Sequence, residues 1–225
     1  TKMIIINSPG NPTGAVMSET DLKGIAELAK RYNLLVLSDE IYEKILYDGS
    51  KHFSMASLPE MKDRTISVFG FSKTYAMTGW RVGYAVADKR ITDQMTKIQE
   101  FYVTCASSIS QKAALAALDG PQDCVEMMVR EFKRRRDFLY NELGKIDKMD
   151  CVRPKGAYYL FPDISKTGQE SDEVAEILLE RGRIVTVPGV AFGKKGDNFI
   201  RICYATSMDN LELAAERMKN VFDQM

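Results

Sequence analysis

Met3-Ile4-Ile5-Ile6 is a short unbroken apolar run bounded by turn residues, the pattern of a strand buried on both faces of a parallel sheet. The turn Asn7-Ser8-Pro9-Gly10-Asn11-Pro12-Thr13-Gly14 breaks it. Ser18 followed by Asp21 makes a capping-box pattern, and Leu22, Ile25, Ala26 and Ala29 recur at helical spacing, which predicts a helix after the turn. Leu34 to Leu37 reads as a second buried strand ending at Ser38-Asp39-Glu40, and Thr65 to Phe69 as a third ending at Gly70-Phe71-Ser72-Lys73. Val82 to Ala87 is a candidate fourth. Strands alternating with helices predict an open α/β sheet, mostly parallel, in which ligands bind beyond the carboxyl ends of the strands. Asn11, Asp39 and Lys73 all fall there.

Beyond Ala87 the periodicity turns helical, over 89–103, 108–119 and a long charged stretch from Gln122 to Leu143. The last third mixes predicted strands at Ala157–Phe161, Arg183–Val187 and Phe199–Tyr204 with helices at Asp172–Glu180 and Asn210–Phe222. This divides the chain into a larger α/β domain over 1–120 and, over 121–225, a linking helix with a smaller α/β domain. The basic cluster Lys133-Arg134-Arg135-Arg136 lies on the long helix and reads as a solvated face rather than a phosphate site.

With 45% hydrophobic and 28% charged residues the chain has material for a proper core and is far from the composition of disorder. Its 31 basic and 31 acidic residues balance, so neither nucleic acid nor an anionic membrane is an expected partner. Cys105, Cys124, Cys151 and Cys203 form no C-x-x-C pair and His52 is the single histidine, so no metal site is expected. No run approaches the ~18 apolar residues of a membrane span, and no signal-peptide pattern opens the chain, so a reducing cytoplasm is the expected compartment. Thr1-Lys2 leads straight into the first apolar run with no initiator Met, which reads as the later part of something longer.

The candidate chemistry begins at Lys73. A lysine at the end of a buried strand, desolvated or beside a cation, has its pKa lowered enough to attack a carbonyl. Arg81, eight residues on, can grip a phosphate through two parallel charge-assisted bonds. Asp39 ends the second apolar strand, where helix capping competes with chemistry as its role. A carboxylate there would also suit an electron-sink cofactor, whose pyridine nitrogen must stay protonated. Tyr42, on the same side of a helical turn, and the Asn11 amide could bond the ring oxygen of such a cofactor.

Four blocks carry a resemblance: Asn7-Ser8-Pro9-Gly10-Asn11-Pro12-Thr13-Gly14; Ser38-Asp39-Glu40-Ile41-Tyr42; Phe71-Ser72-Lys73-Thr74 with Gly79-Trp80-Arg81-Val82-Gly83; and Arg201-Ile202-Cys203-Tyr204-Ala205. In order and spacing they resemble the class I/II aminotransferases of fold type I, in particular the bacterial aspartate-aminotransferase-like subgroup, and this chain resembles their C-terminal portion. The resemblance implies a pyridoxal 5'-phosphate (PLP) enzyme of the cytoplasm, a homodimer at full length, moving an amino group between an amino acid and a 2-oxo acid. It implies Lys73 as the Schiff-base and proton-transfer lysine, Asp39 as the partner of the pyridine nitrogen, and Asn11 and Tyr42 on the ring oxygen. Arg81 would bind the cofactor phosphate and Arg201 the substrate α-carboxylate, with Asn11 beside it. Gly70 stands where many relatives have a phosphate-binding hydroxyl, which leaves open whether Ser72 serves instead. The segment that precedes the N-P-T-G turn in the family carries further phosphate and ring contacts, so this chain alone is expected to be inactive. A PLP-dependent β-eliminating lyase and the aminotransferase-like effector domain of a PLP-sensing transcription regulator are the alternatives.

Overall fold

The computed structural model describes residues 1–225 and resolves into two compact units, Thr1–Gly10 with Val16–Met127, and Asn11–Ala15 with Met128–Met225. The N-P-T-G turn thus clusters with the second unit.

The first unit is built on a four-stranded sheet in the order β1 (Met3–Asn7), β2 (Leu35–Asp39), β3 (Thr65–Gly70), β4 (Gly83–Val86). β1, β2 and β3 run parallel, and β4 is antiparallel to β3 with Gly83 opposite Gly70. Helix α1 (Glu19–Arg31) starts at the expected capping box, in which Ser18 Oγ accepts from the Asp21 N–H and the Asp21 carboxylate accepts from the Ser18 N–H. Its stripe of Leu22, Ala26 and Ala29 packs with Ile6, Leu34, Val36 and Met55 into the core of this unit, where each fully buried large aliphatic side chain contributes about 1.5–3 kcal/mol. β2 alternates cleanly: Val36, Ser38 and Glu40, the residue just past its end, point into the buried side, and Leu35, Leu37 and Asp39 point the other way. A single-turn helix α2 (Phe71–Thr74) follows β3; α3 (Lys89–Val103) and α4 (Ser108–Asp119) come after β4. No helix is long and apolar enough to cross a membrane.

The second unit has a three-stranded antiparallel sheet, ordered β5 (Tyr159–Leu160), β7 (Ile200–Cys203), β6 (Val187–Pro188). Helices α6 (Ser171–Gly182) and α7 (Met208–Asp223) bury Val174 and Leu178, and Leu211, Met218 and Phe222. The long helix α5 (Asp123–Leu143) begins in the first unit and continues into the second.

Three expectations need correction. The strand expected over Arg183–Val187 is confined to Val187–Pro188, because Arg183 adopts a left-handed C-cap (φ 54°) whose N–H returns to α6 and leaves Val185 exposed. The strand expected over Ala157–Phe161 shortens to Tyr159–Leu160, since Ala157 also has a positive φ of 56°. Arg136 is not on a solvated face. It is completely buried, on the stripe Phe132, Arg136, Leu139, Leu143 that α5 turns inward, whereas Lys133 and Arg134 are exposed.

Candidate active site

In the first unit the carboxyl ends of β1, β2 and β3 and the start of β4 lie side by side and gather five of the expected residues. Asp39 closes β2 opposite Asn7 of β1, whose Nδ2 donates to the Asp39 carbonyl at 3.1 Å. Ser72 and Lys73 sit on α2, one turn past the end of β3. Arg81 stands two residues before β4 in a left-handed conformation (φ 50°), and the Phe71 N–H donates to the Val82 carbonyl, tying the Lys73 turn to the Arg81 turn. Arg81 is exposed and one of its Nη atoms donates to the Thr78 carbonyl at 2.7 Å. Tyr42 is buried just beyond β2.

Burial pushes the Asp39 carboxyl above its ordinary value; the neighbouring Glu40 adds to the rise and the Ile41 N–H, donating to Oδ1 at 3.2 Å, opposes it. Such a carboxylate gains from a cation placed against it. At Gly70, where many relatives have a hydroxyl residue, a side chain would begin 3.1 Å from Ile41 Cδ1, a crowded position in this chain.

Beneath Asp39, on the opposite face of β2, lies a polar cluster that the sequence reading did not single out. The Glu40 carboxylate is buried and accepts three hydrogen bonds, from His52 Nε2 at 2.6 Å, Ser54 Oγ at 2.9 Å and Ser67 Oγ at 3.2 Å. Burial pushes the Glu40 carboxyl up, but the bonds from His52 and Ser54 outweigh it and hold the group below its ordinary value. Since Ser67 belongs to β3 and His52 and Ser54 to the connection between β2 and β3, this one side chain fastens the chain directly after Asp39. Period-two alternation from Val36 is the signal that could have found it.

Asn11 and Arg201 both belong to the second unit, and there they meet. One Arg201 Nη donates to Asn11 Oδ1 at 2.8 Å, and the guanidinium lies over the rings of Tyr159 (4.6 Å) and Phe192 (5.1 Å). Ile200 and Ile202 bury their side chains while Arg201, between them on β7, points to the other face. Its Nε–H is buried without a hydrogen-bond partner in the chain. Buried donors are almost always satisfied, so an orphaned guanidinium N–H marks a place for an acceptor from outside. Neither aromatic was expected. Phe192 is carried by a loop in which Gly189 and Gly196 pack backbone to backbone, leaving no room for a Cβ on either. The Asn11-Pro12 peptide bond is cis, as is Ser8-Pro9.

Known proteins resemble this chain in sequence and in fold. A family profile described as aminotransferase class I and II matches residues 1–218. The probable aspartate aminotransferase of Methanocaldococcus jannaschii is 49% identical over 99% of this chain and 59% of its own length. The aromatic-amino-acid aminotransferase 2 of Thermococcus litoralis is 44% identical over the whole chain and 58% of its own length. The crystal structure of an aromatic aminotransferase from Pyrococcus horikoshii superposes with a TM-score of 0.97 at 45% identity, covering all of this chain and 60% of that one. The chain thus spans somewhat under two thirds of the length of the relatives it matches. Across that span it belongs to the class I and II aminotransferases, the family whose cofactor is pyridoxal phosphate.

Proposed function

We propose that this chain carries the lysine, carboxylate and arginine machinery of an aminotransferase that moves an amino group between an amino acid and a 2-oxo acid. The observation that carries the reading is the gathering of Asp39, Lys73 and Arg81 at one end of the first unit's sheet. The residues fit pyridoxal phosphate: a desolvated carboxylate for the pyridinium, a lysine amine for the aldehyde carbon, and a guanidinium with the Ser72 hydroxyl for the phosphate. When bound, that cofactor supplies an electron-withdrawing ring that makes the substrate Cα proton removable. Asp39 would supply the negative charge for the ring nitrogen, and Tyr42 and Asn11 would be the donors for the ring oxygen. Lys73 Nζ would be the amine that holds the aldehyde carbon and the base that moves the substrate Cα proton. Arg201 holds the substrate carboxylate, a role supported by its orphaned Nε–H and by the Asn11 and aromatic contacts that fix its plane.

Residues 1–120 are read as part of the cofactor domain and 121–225 as a linking helix with the small domain; the compact units divide nearby, after Met127, but assign Asn11–Ala15 to the second. A cytoplasmic homodimer completes the reading. Four unpaired cysteines suit a reducing compartment, and the exposed run Phe101, Tyr102 and Val103 suits a surface covered by protein. An amino-donor screen of a full-length protein containing this chain, with 2-oxoglutarate as acceptor and aspartate and the aromatic amino acids first, tests the proposal. Amino transfer from at least one donor is expected. Elimination from β-substituted donors with no amino transfer would replace the reading with a lyase.

A further inference from the structure

We infer that Arg136 is a positioning residue for the Asn11–Arg201 pair, acting through the loop Pro154–Gly156. A buried guanidinium costs several kcal/mol in desolvation unless its donors are met. Here they are met specifically. Nε and Nη2 both donate to Asp137 Oδ1, at 2.9 and 2.6 Å, which fixes the plane of the fork, and Nη1 then donates to the Pro154 carbonyl at 2.9 Å. Arg153 reaches the same Asp137 oxygen at 3.1 Å from the other end of this short segment.

The loop so held makes the seat of the N-P-T-G turn. The Lys155 and Gly156 N–H groups both donate to the Gly14 carbonyl at 2.9 Å. Gly14 has φ +64°, and a Cβ on it would land on the Pro154 Cβ, so turn and loop fit only with glycine here. Three residues upstream, Asn11 Oδ1 accepts from Arg201. In the other direction the loop runs into Ala157, whose carbonyl accepts from Tyr204 OH at 3.2 Å, and then into Tyr159, whose ring lies against the Arg201 guanidinium. Two of the contacts that orient Arg201 therefore leave from the loop that Arg136 anchors. An aliphatic side chain would fill the same stripe without the desolvation cost, but could not hold Asp137 and the Pro154 carbonyl.

The inference rests on the reading of Arg201 as the carboxylate-holding residue. Its test uses a full-length protein containing this chain, with Arg136→Lys and Arg136→Gln, since neither a single ammonium nor an amide can hold Asp137 and Pro154 together as the fork does. Three quantities are read: the affinity for succinate and for 3-phenylpropionate, carboxylates with no amino group, by calorimetry; KM and kcat for the amino donor; and hydrogen exchange of the Lys155 and Gly156 amides in the cofactor-free protein. The expected result is a loss of about tenfold in carboxylate affinity, falling on KM rather than kcat, with faster exchange at both amides. A purely structural Arg136 would lower the unfolding temperature but leave affinity within about twofold, and that result overturns the inference. Arg201→Lys separates the two readings. If it leaves carboxylate affinity unchanged, the reading of Arg201 is wrong and the inference falls with it. If Arg201→Lys weakens binding and both Arg136 variants do not, only the inference is wrong. With both correct, Arg136→Lys adds little in the Arg201→Lys background, because contacts in one network do not add.

Discussion

Replacing Glu40 with Ala removes the acceptor that joins β3 to the connection behind Asp39. His52 Nε2, Ser54 Oγ and Ser67 Oγ each lose a hydrogen bond to a buried carboxylate, at 2.6, 2.9 and 3.2 Å. A bond to a charged group contributes about 1.5–3 kcal/mol and a stranded buried donor costs about 1–3, but two of these donors are hydroxyls that can rotate toward other acceptors. The desolvation of the carboxylate itself is recovered, so the net loss expected is about 3–5 kcal/mol, the range for breaking a buried pair from one side. Trp80, the single tryptophan, lies in the first unit, so denaturant unfolding followed by its fluorescence reports on the unit that Glu40 holds. Glu40→Gln adds a pH arm. The folded Glu40 value lies below its ordinary 4.5, so its contribution is fully present above pH 4.5 and is lost as pH falls through the folded value. The gap between wild type and Glu40→Gln should therefore narrow below pH 4.5. A loss under about 1 kcal/mol for Glu40→Ala, no more than an ordinary surface change, or parallel pH curves for Glu40→Gln, would refute the assignment of Glu40 as the clamp behind Asp39.

Asp39 titrates in the opposite sense: its folded value is raised, so the ionised form costs stability at neutral pH, and Asp39→Asn should hold or raise the denaturation midpoint of the cofactor-free protein, an advantage that fades as pH falls through the raised folded value and is gone below pH 3.8. The same variant should lower kcat of the full-length enzyme by roughly two to three orders of magnitude, the scale of losing one preorganised charge; a loss under about tenfold would assign Asp39 another role. The 225-residue chain by itself should bind pyridoxal phosphate weakly and show no amino transfer, and should self-associate through its open sheet edges, where Ile5 and Val86 are 71% and 55% exposed. Cofactor spectra and sedimentation check this, and turnover like that of an intact enzyme would contradict it.

The first unit was legible because its signals are local. Apolar runs such as Leu34–Leu37 end at the residues that matter, and the Ser18–Asp21 box fixes where α1 begins. Strands of the second unit were displaced because their limits depend on left-handed residues, Ala157 and Arg183, that no propensity marks. Glu40 and Arg136 were missed for one reason: charged residues are expected to be solvated, and burial was not weighed against the periodicity that puts Glu40 in line with Val36 and Arg136 in line with Phe132 and Leu139. A charge on a buried stripe is the exception that carries information. The pairing of Asn11 with Arg201 across 190 positions depends on tertiary structure. Their blocks announced each residue, but nothing in them announced Tyr159 or Phe192 as the walls.

On the proposed function, Lys73 is the residue through which this protein holds its cofactor. Borohydride reduction of a full-length protein containing this chain, loaded with pyridoxal phosphate and then digested and mapped by mass spectrometry, reads that attachment directly. The reduced cofactor should be found on the peptide carrying Lys73 and should be absent after Lys73→Ala. Stoichiometric label on any other lysine, or a Lys73→Ala protein that still takes up the label, would contradict the account.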